Sequence, residues 1–230
     1  MSVLYLVRHG QAGTREHYDS LSDVGRRQAR LLGEYFRAQG IEFRAAYSGS
    51  LERQRSTGAE TLPGVEIRVD NGWDEFDLAQ VYREYAPRLS DDDEQFAREY
   101  AEMQRAITAK ESAVDRKWND CDKKCVRAWI EGRYEYSGES WGAFVKRVHS
   151  ALRRVIEKAH DGNVAVFTSA TPIGIAAAST LQIEDARAMW MAAVMFNASV
   201  TTLRVHGNEV RLFTMNGTAH LGKAELRTFR

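Results

Sequence analysis

The sequence predicts an α/β fold: a three-layer α/β/α sandwich with a mainly parallel central sheet and a helical cap insertion. Three observations carry this reading. Over residues 1–69, short apolar runs alternate with helical patterns in β-α-β-α-β order, which argues for parallel strands with helices on both faces of the sheet. A further strand and an Ala-rich helix follow at 163–181. Between these regions, a stretch at about 81–136 is charged, aromatic and helix-prone, with no clear strand. We expect one domain, 1–230, with that stretch inserted as a cap.

The elements follow in order. Val3-Leu4-Tyr5-Leu6-Val7 is an apolar run that stops at Gly10, as a buried strand delivering its last side chains into a loop does. After a polar loop at 11–20, Ser22-Asp23-Val24-Gly25 opens a helix. Its Leu31, Leu32, Tyr35 and Phe36 recur at helical spacing, and Gly40 ends it. Residues 43–47 read as a strand. Ser48-Gly49-Ser50 is expected to turn and cap a helix over 51–62. Pro63-Gly64 stops that helix, and 65–69 alternates as a third strand. Residues 70–79 read as a loop. In the inserted stretch, Tyr82, Tyr85, Phe96, Tyr100, Trp118 and Trp129 are irregularly spaced, and Asp91-Asp92-Asp93-Glu94 reads as a solvated helix start. Ser137-Gly138-Glu139-Ser140 opens a long helix with Phe144, Val148, Leu152, Val155 and Ile156 on its apolar stripe. After the strand at 163–167, the next helix is expected to have Thr171 as its cap and Pro172 at its first position. Residues 198–205 and 209–214, around Gly207-Asn208, read as a β-hairpin.

Composition narrows the classes. The 32 basic and 32 acidic residues cancel, so no global field draws nucleic acid or an anionic membrane. No run approaches the roughly 20 apolar residues that cross a bilayer. The first apolar run is too short, and lacks the basic start, for a secretory signal. Cys121 and Cys125 lie four apart, which is not the usual redox or zinc spacing. Free thiols in a reducing cytoplasm are the expectation. The protein is therefore read as cytoplasmic, with no nucleic-acid or membrane partner. Its oligomeric state is not legible.

Chemistry is expected at the carboxyl ends of the strands, where open α/β sheets bind ligands. Arg8 and His9 arrive there together. Arg supplies a permanent planar charge suited to phosphate. His supplies a nucleophile or proton carrier near neutral pH. Arg53 falls in the first turn after the second strand, where unpaired amides attract anions and a guanidinium adds a fork. Thr168, Ser169 and Thr171 bring hydroxyls to a third such junction. Glu75, in Gly72-Trp73-Asp74-Glu75-Phe76, places a carboxyl near the same edge. Burial beside Trp73 and Phe76 would favour its neutral form and let it protonate a leaving oxygen. Asp74 and Asp77 are rival acids.

Together these motifs resemble the histidine phosphatase superfamily, the phosphoglycerate-mutase-like group. Leu6-Val7-Arg8-His9-Gly10-Gln11 is similar to its opening motif, and residues 21–29 to its following helix start. Residues 48–57 resemble its Ser-x-x-Leu-x-Arg-Ala-x-Gln-Thr motif. Gly138-Glu139-Ser140 with Arg147 resembles a further block, and Asn197 with Asn216-Gly217-Thr218-Ala219-His220-Leu221 its closing strands. The likeness covers nearly the whole chain outside 81–136. It implies that His9 is the nucleophile, that Arg8, Arg53 and Gln11 contact the phosphoryl group, and that Glu75 is the acid and then the base for water. It implies no metal and no cofactor, since two guanidinium groups supply the charge neutralisation that Mg²⁺ gives elsewhere.

The chain also departs from that pattern. Ser169 stands where the family has a second His, and Ala170 where it has Gly. His160 precedes the strand and His149 lies a helix away. Ala12 replaces a small hydroxyl residue, and Arg15 stands where Asn is common. A serine donates one neutral hydrogen bond and carries no charge. The expected function is a slow phosphohydrolase that takes phosphate from a small phosphorylated substrate, a phosphomonoester, through a phosphohistidine, with Ser169 among its phosphate contacts. The alternative is a catalytically impaired phospho-ligand-binding or regulatory protein on the same fold. A phosphoglycerate mutase ranks third, because a mutase must hold and reorient a phosphorylated intermediate.

Overall fold

The structure, a computed structural model, describes residues 2–13, 17–109, 120–158, 162–207 and 209–229. Arg15, Trp118, His160 and Asn208 lie outside the described residues. In chain order the elements are β1 (Ser2–Arg8), α1 (Asp23–Ala38), β2 (Phe43–Ser48), α2 (Glu52–Thr61), β3 (Ile67–Val69), α3 (Leu78–Asp92), α4 (Glu94–Thr108), α5 (Asp120–Ile130), α6 (Trp141–Lys158), β4 (Asn163–Thr168), α7 (Ala170–Leu181), α8 (Ala188–Ala193), β5 (Val200–His206) and β6 (Glu209–Gly217). The chain divides into two compact units, Met1–Glu75 with Val145–Arg230, and Phe76–Phe144.

In the first unit the strands form one sheet in the order β3-β2-β4-β1-β5-β6. The β1, β2, β3 and β4 strands run parallel, while β5 pairs antiparallel to both β1 and β6. The sheet is thus mainly parallel, as the β-α-β order predicts. One face packs Val7, Ala46, Ala165 and Phe167 against Leu32 and Phe36 of α1. Phe36 meets Tyr5 and Phe43 edge-on, with centroids 5.6 and 4.9 Å apart. Burying one such ring contributes about 1.5–3 kcal/mol. The opposite face, Leu4, Leu6, Val164 and Val166, is also buried. The wholly buried stretch 170–178 of α7 belongs to a helix that touches β1 and β6.

Local chemistry explains the helix that follows β1. Ser22 caps α1 by accepting from Gly25 N at 3.0 Å, and Asp23 sits in the first turn. Gln28, Ala29, Leu32, Gly33 and Phe36 turn inward at helical spacing. The loop after β1 lies directly on this helix start. A Cβ on Gly10 would come 2.5 Å from Gly25 O, so a larger residue would push the loop away from α1.

Several expectations need correction. Leu51, not Ser50, precedes the first turn of α2, and it offers no cap bond. Ser50 instead donates its hydroxyl to Asp74 Oδ2 at 2.6 Å. The third strand is only Ile67–Val69, leaving Val65 exposed beyond its start. The 70–79 segment is not all loop: Asn71–Trp73 forms a 3-10 turn capped by Asp70, and α3 begins at Leu78. Finally, α7 begins at Ala170 with Ser169 as its N-terminal neighbour. Pro172 is its third residue, where a missing N–H still costs no helical bond.

The second unit holds α3, α4, α5 and the first turn of α6, with no strand among the described residues. Phe76 stacks on Trp129 at 4.7 Å, and Phe144 meets Phe76 edge-on at 5.8 Å. Asp93 caps α4 by accepting from Phe96 N at 3.0 Å, while Asp91 and Asp92 finish α3. Only the end of that acidic run therefore opens a helix. Cys121 and Cys125 are buried and unpaired, and burial pushes their thiols up to about 11 and about 12. Among the described residues, no helix is long and apolar enough to cross a membrane.

Candidate active site

The site lies within the first unit and follows from the strand order. The β1 and β4 strands are neighbours in parallel register, with Arg8 opposite Thr168. The residues after them, His9 and Ser169, therefore leave the sheet side by side. His9 N donates to Thr168 O at 2.8 Å. His9, Arg8, Arg53 and Ser169 are 3, 7, 8 and 1 % exposed. At that depth a charge must be paired or face a ligand.

His9 is held at both ends. Its carbonyl accepts from Ala198 N at 3.1 Å and from Asn197 Nδ2 at 3.3 Å. Its ring Nδ1 lies 2.8 Å from Gly10 O. A carbonyl can only accept, so Nδ1 carries the hydrogen and Nε2 keeps its lone pair. Burial, then the charges of Arg53 and Arg8, hold the His9 pKa well below its usual 6.5. The imidazole is thus neutral at physiological pH. The Gly10 amide donates to Thr57 Oγ1 at 3.0 Å, and that hydroxyl donates to Arg53 O at 2.7 Å. This chain of bonds fixes α2 against the His9 loop.

The two guanidinium groups are anchored but not saturated. Arg8 donates from Nη1 to Met195 O and from Nη2 to Phe229 O, the latter at 3.2 Å. Burial pulls its pKa down from a starting value high enough that it stays charged. Arg53 donates from Nη1 to Asp19 Oδ1 at 2.7 Å and lies over the Tyr18 ring at 5.2 Å. The Nε–H of each arginine is buried and has no partner among the described residues. Two buried, unspent cationic donors near a neutral imidazole suit an anion. Asp19 also accepts from Glu52 N at 3.0 Å and Arg53 N at 3.4 Å. A carboxylate of the protein itself thus caps α2, a role the sequence reading gave to Ser50.

The third side is built on Trp73. Its carbonyl accepts from Thr168 Oγ1 at 2.5 Å and from Gln54 Nε2 at 3.1 Å. Arg147 Nη1 donates to the carbonyls of Asn71, Gly72 and Asp74, at 2.8, 3.2 and 3.1 Å. These bonds clamp the turn that leads to Glu75. Glu75 Oε2 accepts from Thr171 N, in the first turn of α7, at 3.2 Å. Ser169 Oγ lies 2.8 Å from Gln54 Nε2.

Arg8, His9, Arg53, Glu75 and Ser169 therefore come to one end of the sheet. Gln11 is turned toward the start of α1: its Oε1 accepts from Ser22 Oγ and its backbone N donates to Gln28 Oε1, both at 2.8 Å. Of the rival acids, Asp74 is engaged by Ser50, and Asp77 caps α3 in the other unit. Sequence reasoning missed Asp19 and Gln54. Asp19 has no local signature, since its partners are 33 and 34 residues away. Gln54 did carry one, because it stands where the motif that 48–57 resembles has Ala. Among the described residues, no group of three or more His, Cys, Asp and Glu is placed to hold a metal ion.

A search among curated proteins finds no matching sequence. Solved structures do share the fold. A phosphoserine phosphatase mutant from Entamoeba histolytica, in complex with phosphoserine, superposes with a TM-score of 0.64 at 15 % identity, over 96 % of this chain and 100 % of its own. The α-ribazole phosphatase of Shigella flexneri gives 0.62 at 16 %, over 94 % and 97 %. A mycobacterial glucosyl-3-phosphoglycerate phosphatase, in complex with inorganic phosphate, gives 0.60 at 21 %, over 95 % and 98 %. The sequence pattern of one family matches residues 4–218, nearly the whole chain. The chain belongs to the histidine phosphatase superfamily (branch 1).

Proposed function

We propose that the protein is a metal-independent phosphatase that removes phosphate from a small phosphomonoester through a phosphohistidine on His9. The observation that carries this reading is the Nδ1–H bond of His9 to Gly10 O. It leaves the Nε2 lone pair as the reactive end of a neutral ring near two buried guanidinium groups. Nε2 attacks phosphorus and the ester P–O bond breaks. The departing oxygen takes the carboxyl proton of Glu75. Glu75 then takes a proton from water, whose oxygen attacks phosphorus. The P–N bond breaks, its electron pair returns to Nε2, and inorganic phosphate leaves. Arg8 and Arg53 stabilise the charge on the transferring oxygens throughout. Fold relatives solved with phosphoserine and with inorganic phosphate support a small phosphorylated ligand. The free thiols of Cys121 and Cys125 suit a reducing compartment such as the cytoplasm.

Ser169 favours a second reading. A buried neutral hydroxyl there supplies no charge, which fits a phospho-ligand-binding protein that turns over poorly. Phosphate release from an aryl phosphate separates the two. The first reading expects slow release that His9→Ala abolishes. Binding of the ester with no release from the wild type would favour the second. Transfer of the phosphoryl group to a second hydroxyl, as in a mutase, ranks behind both.

A further inference from the structure

The mechanism above leaves one buried contact unused, between Gln54 on α2 and Ser169 at the start of α7. Gln54 is fully buried, with Nε2 2.8 Å from Ser169 Oγ and 3.1 Å from Trp73 O. The Trp73 carbonyl can only accept, so this end of the amide is the NH₂. Ser169 Oγ therefore faces a donor and accepts from it. A hydroxyl has a single proton, and that of Ser169 cannot point at Gln54. A serine at this position in a helix ordinarily accepts from the helix's own amides, yet Ser169 makes no such bond to α7. Among the described residues, the Ser169 O–H has no acceptor. It stands one residue beyond Thr168, whose carbonyl takes the His9 amide.

Gly49 makes room for the amide. A Cβ on Gly49 would lie 1.9 Å from Gln54 Oε1, so only a glycine there leaves room for this side chain. We infer that Gln54 is a positioning residue, which holds the Ser169 hydroxyl with its proton available to a phosphoryl oxygen at His9. The inference rests on the phosphoryl-transfer reading. Two neutral side chains, one from each of two helix starts, then act as one oriented donor. Gln54 acts through Ser169 and touches no reacting atom.

A double-mutant cycle on the full chain tests this, with Gln54→Met, Ser169→Ala and the pair. Two quantities are read: the Kd of inorganic phosphate by calorimetry, and kcat/KM for an aryl phosphate. Each single change is expected to worsen both by about tenfold, and the pair to be no worse than the worse single change. Losses that multiply in the pair would overturn the inference, as would a Gln54→Met variant equal to the wild type. If Gln54→Met lacks a cooperative thermal transition, Gln54→Asn runs the same cycle, because it keeps the amide but shortens its reach. The phosphate arm separates the two readings. Non-additive phosphate binding in a chain with no turnover counts against the phosphohistidine and leaves the Gln54–Ser169 pairing standing. Additive losses with turnover intact do the reverse.

Discussion

His9 Nδ1 lies 2.8 Å from the carbonyl oxygen of Gly10, the next residue in the chain. That one bond sets the tautomer of the ring, and the carbonyl is held because the peptide plane it shares with the Gln11 amide is fixed by the bond from Gln11 N to Gln28 Oε1. Burial and the neighbouring arginines then keep a proton off the ring. Nucleophile orientation and nucleophile charge state therefore have separate physical causes, which separate experiments can probe.

The charge state is tested by titration. His9 should stay neutral through the usual histidine range, because burial and two guanidinium charges disfavour the imidazolium. Its ring resonances, followed by NMR, should not shift between pH 7.5 and about 6. A midpoint near 6.5 would show that the ring is solvated and the site open.

The same physics makes stability depend on pH. Burial also lowers His220, to about 4. The unfolded chain protonates both histidines near pH 6.5, while the folded chain resists until lower pH. Stability should be full above about 6.5 and fall as the pH drops toward 4. Urea unfolding at pH 7.5, 6 and 5 should show this decline, and His220→Gln should flatten it. Equal slopes in the two proteins would show that His220 does not drive the decline.

Asp19 holds Arg53 with a carboxylate, in competition with any incoming phosphate. Asp19→Asn keeps an acceptor for the α2 amides and removes the charge. Phosphate should bind several-fold more tightly, on the scale of a partly exposed ion pair, with kcat little changed. Weaker phosphate binding would mean that Asp19 aligns Arg53 rather than competing for it.

Glu75→Gln should slow alkyl phosphates by about 10²–10³ and activated aryl phosphates far less, since only a poor leaving group needs the proton. Equal losses on both would point to a structural role at the start of α7, where Glu75 already accepts from Thr171 N.

Ser169→His alone would drive an imidazole toward the Gln54 amide, 2.8 Å from Oγ. Combined with Gln54→Ala it gains room and a chargeable donor. Turnover should then exceed that of the wild type. A double variant slower than the wild type at every pH would mean that the pocket is shaped for the neutral pair.

Much of the fold was legible because it rests on local patterns. The apolar run at 3–7, the Ser22 cap with its Leu32–Phe36 stripe, and Gly40 each act within a turn or two of themselves. Arg8 and His9 were legible because a strand end followed by a loop is a local event. Cap assignments failed where a distant side chain did the capping. Asp19 reaches α2 from 33 residues away, which frees Ser50 for Asp74. The Gln54–Ser169 pair spans 115 residues, and only the adjacency of the β2, β4 and β1 ends brings it together.

The most direct measurement is rapid quench of the wild-type protein with a phosphate-labelled aryl ester, followed by peptide mapping. A transient label is expected on His9 that is stable to base and lost in acid, absent from His9→Ala, and formed equally well with a chelator present. Label on a serine or an aspartate, or turnover that needs added Mg²⁺ or Mn²⁺, would contradict it.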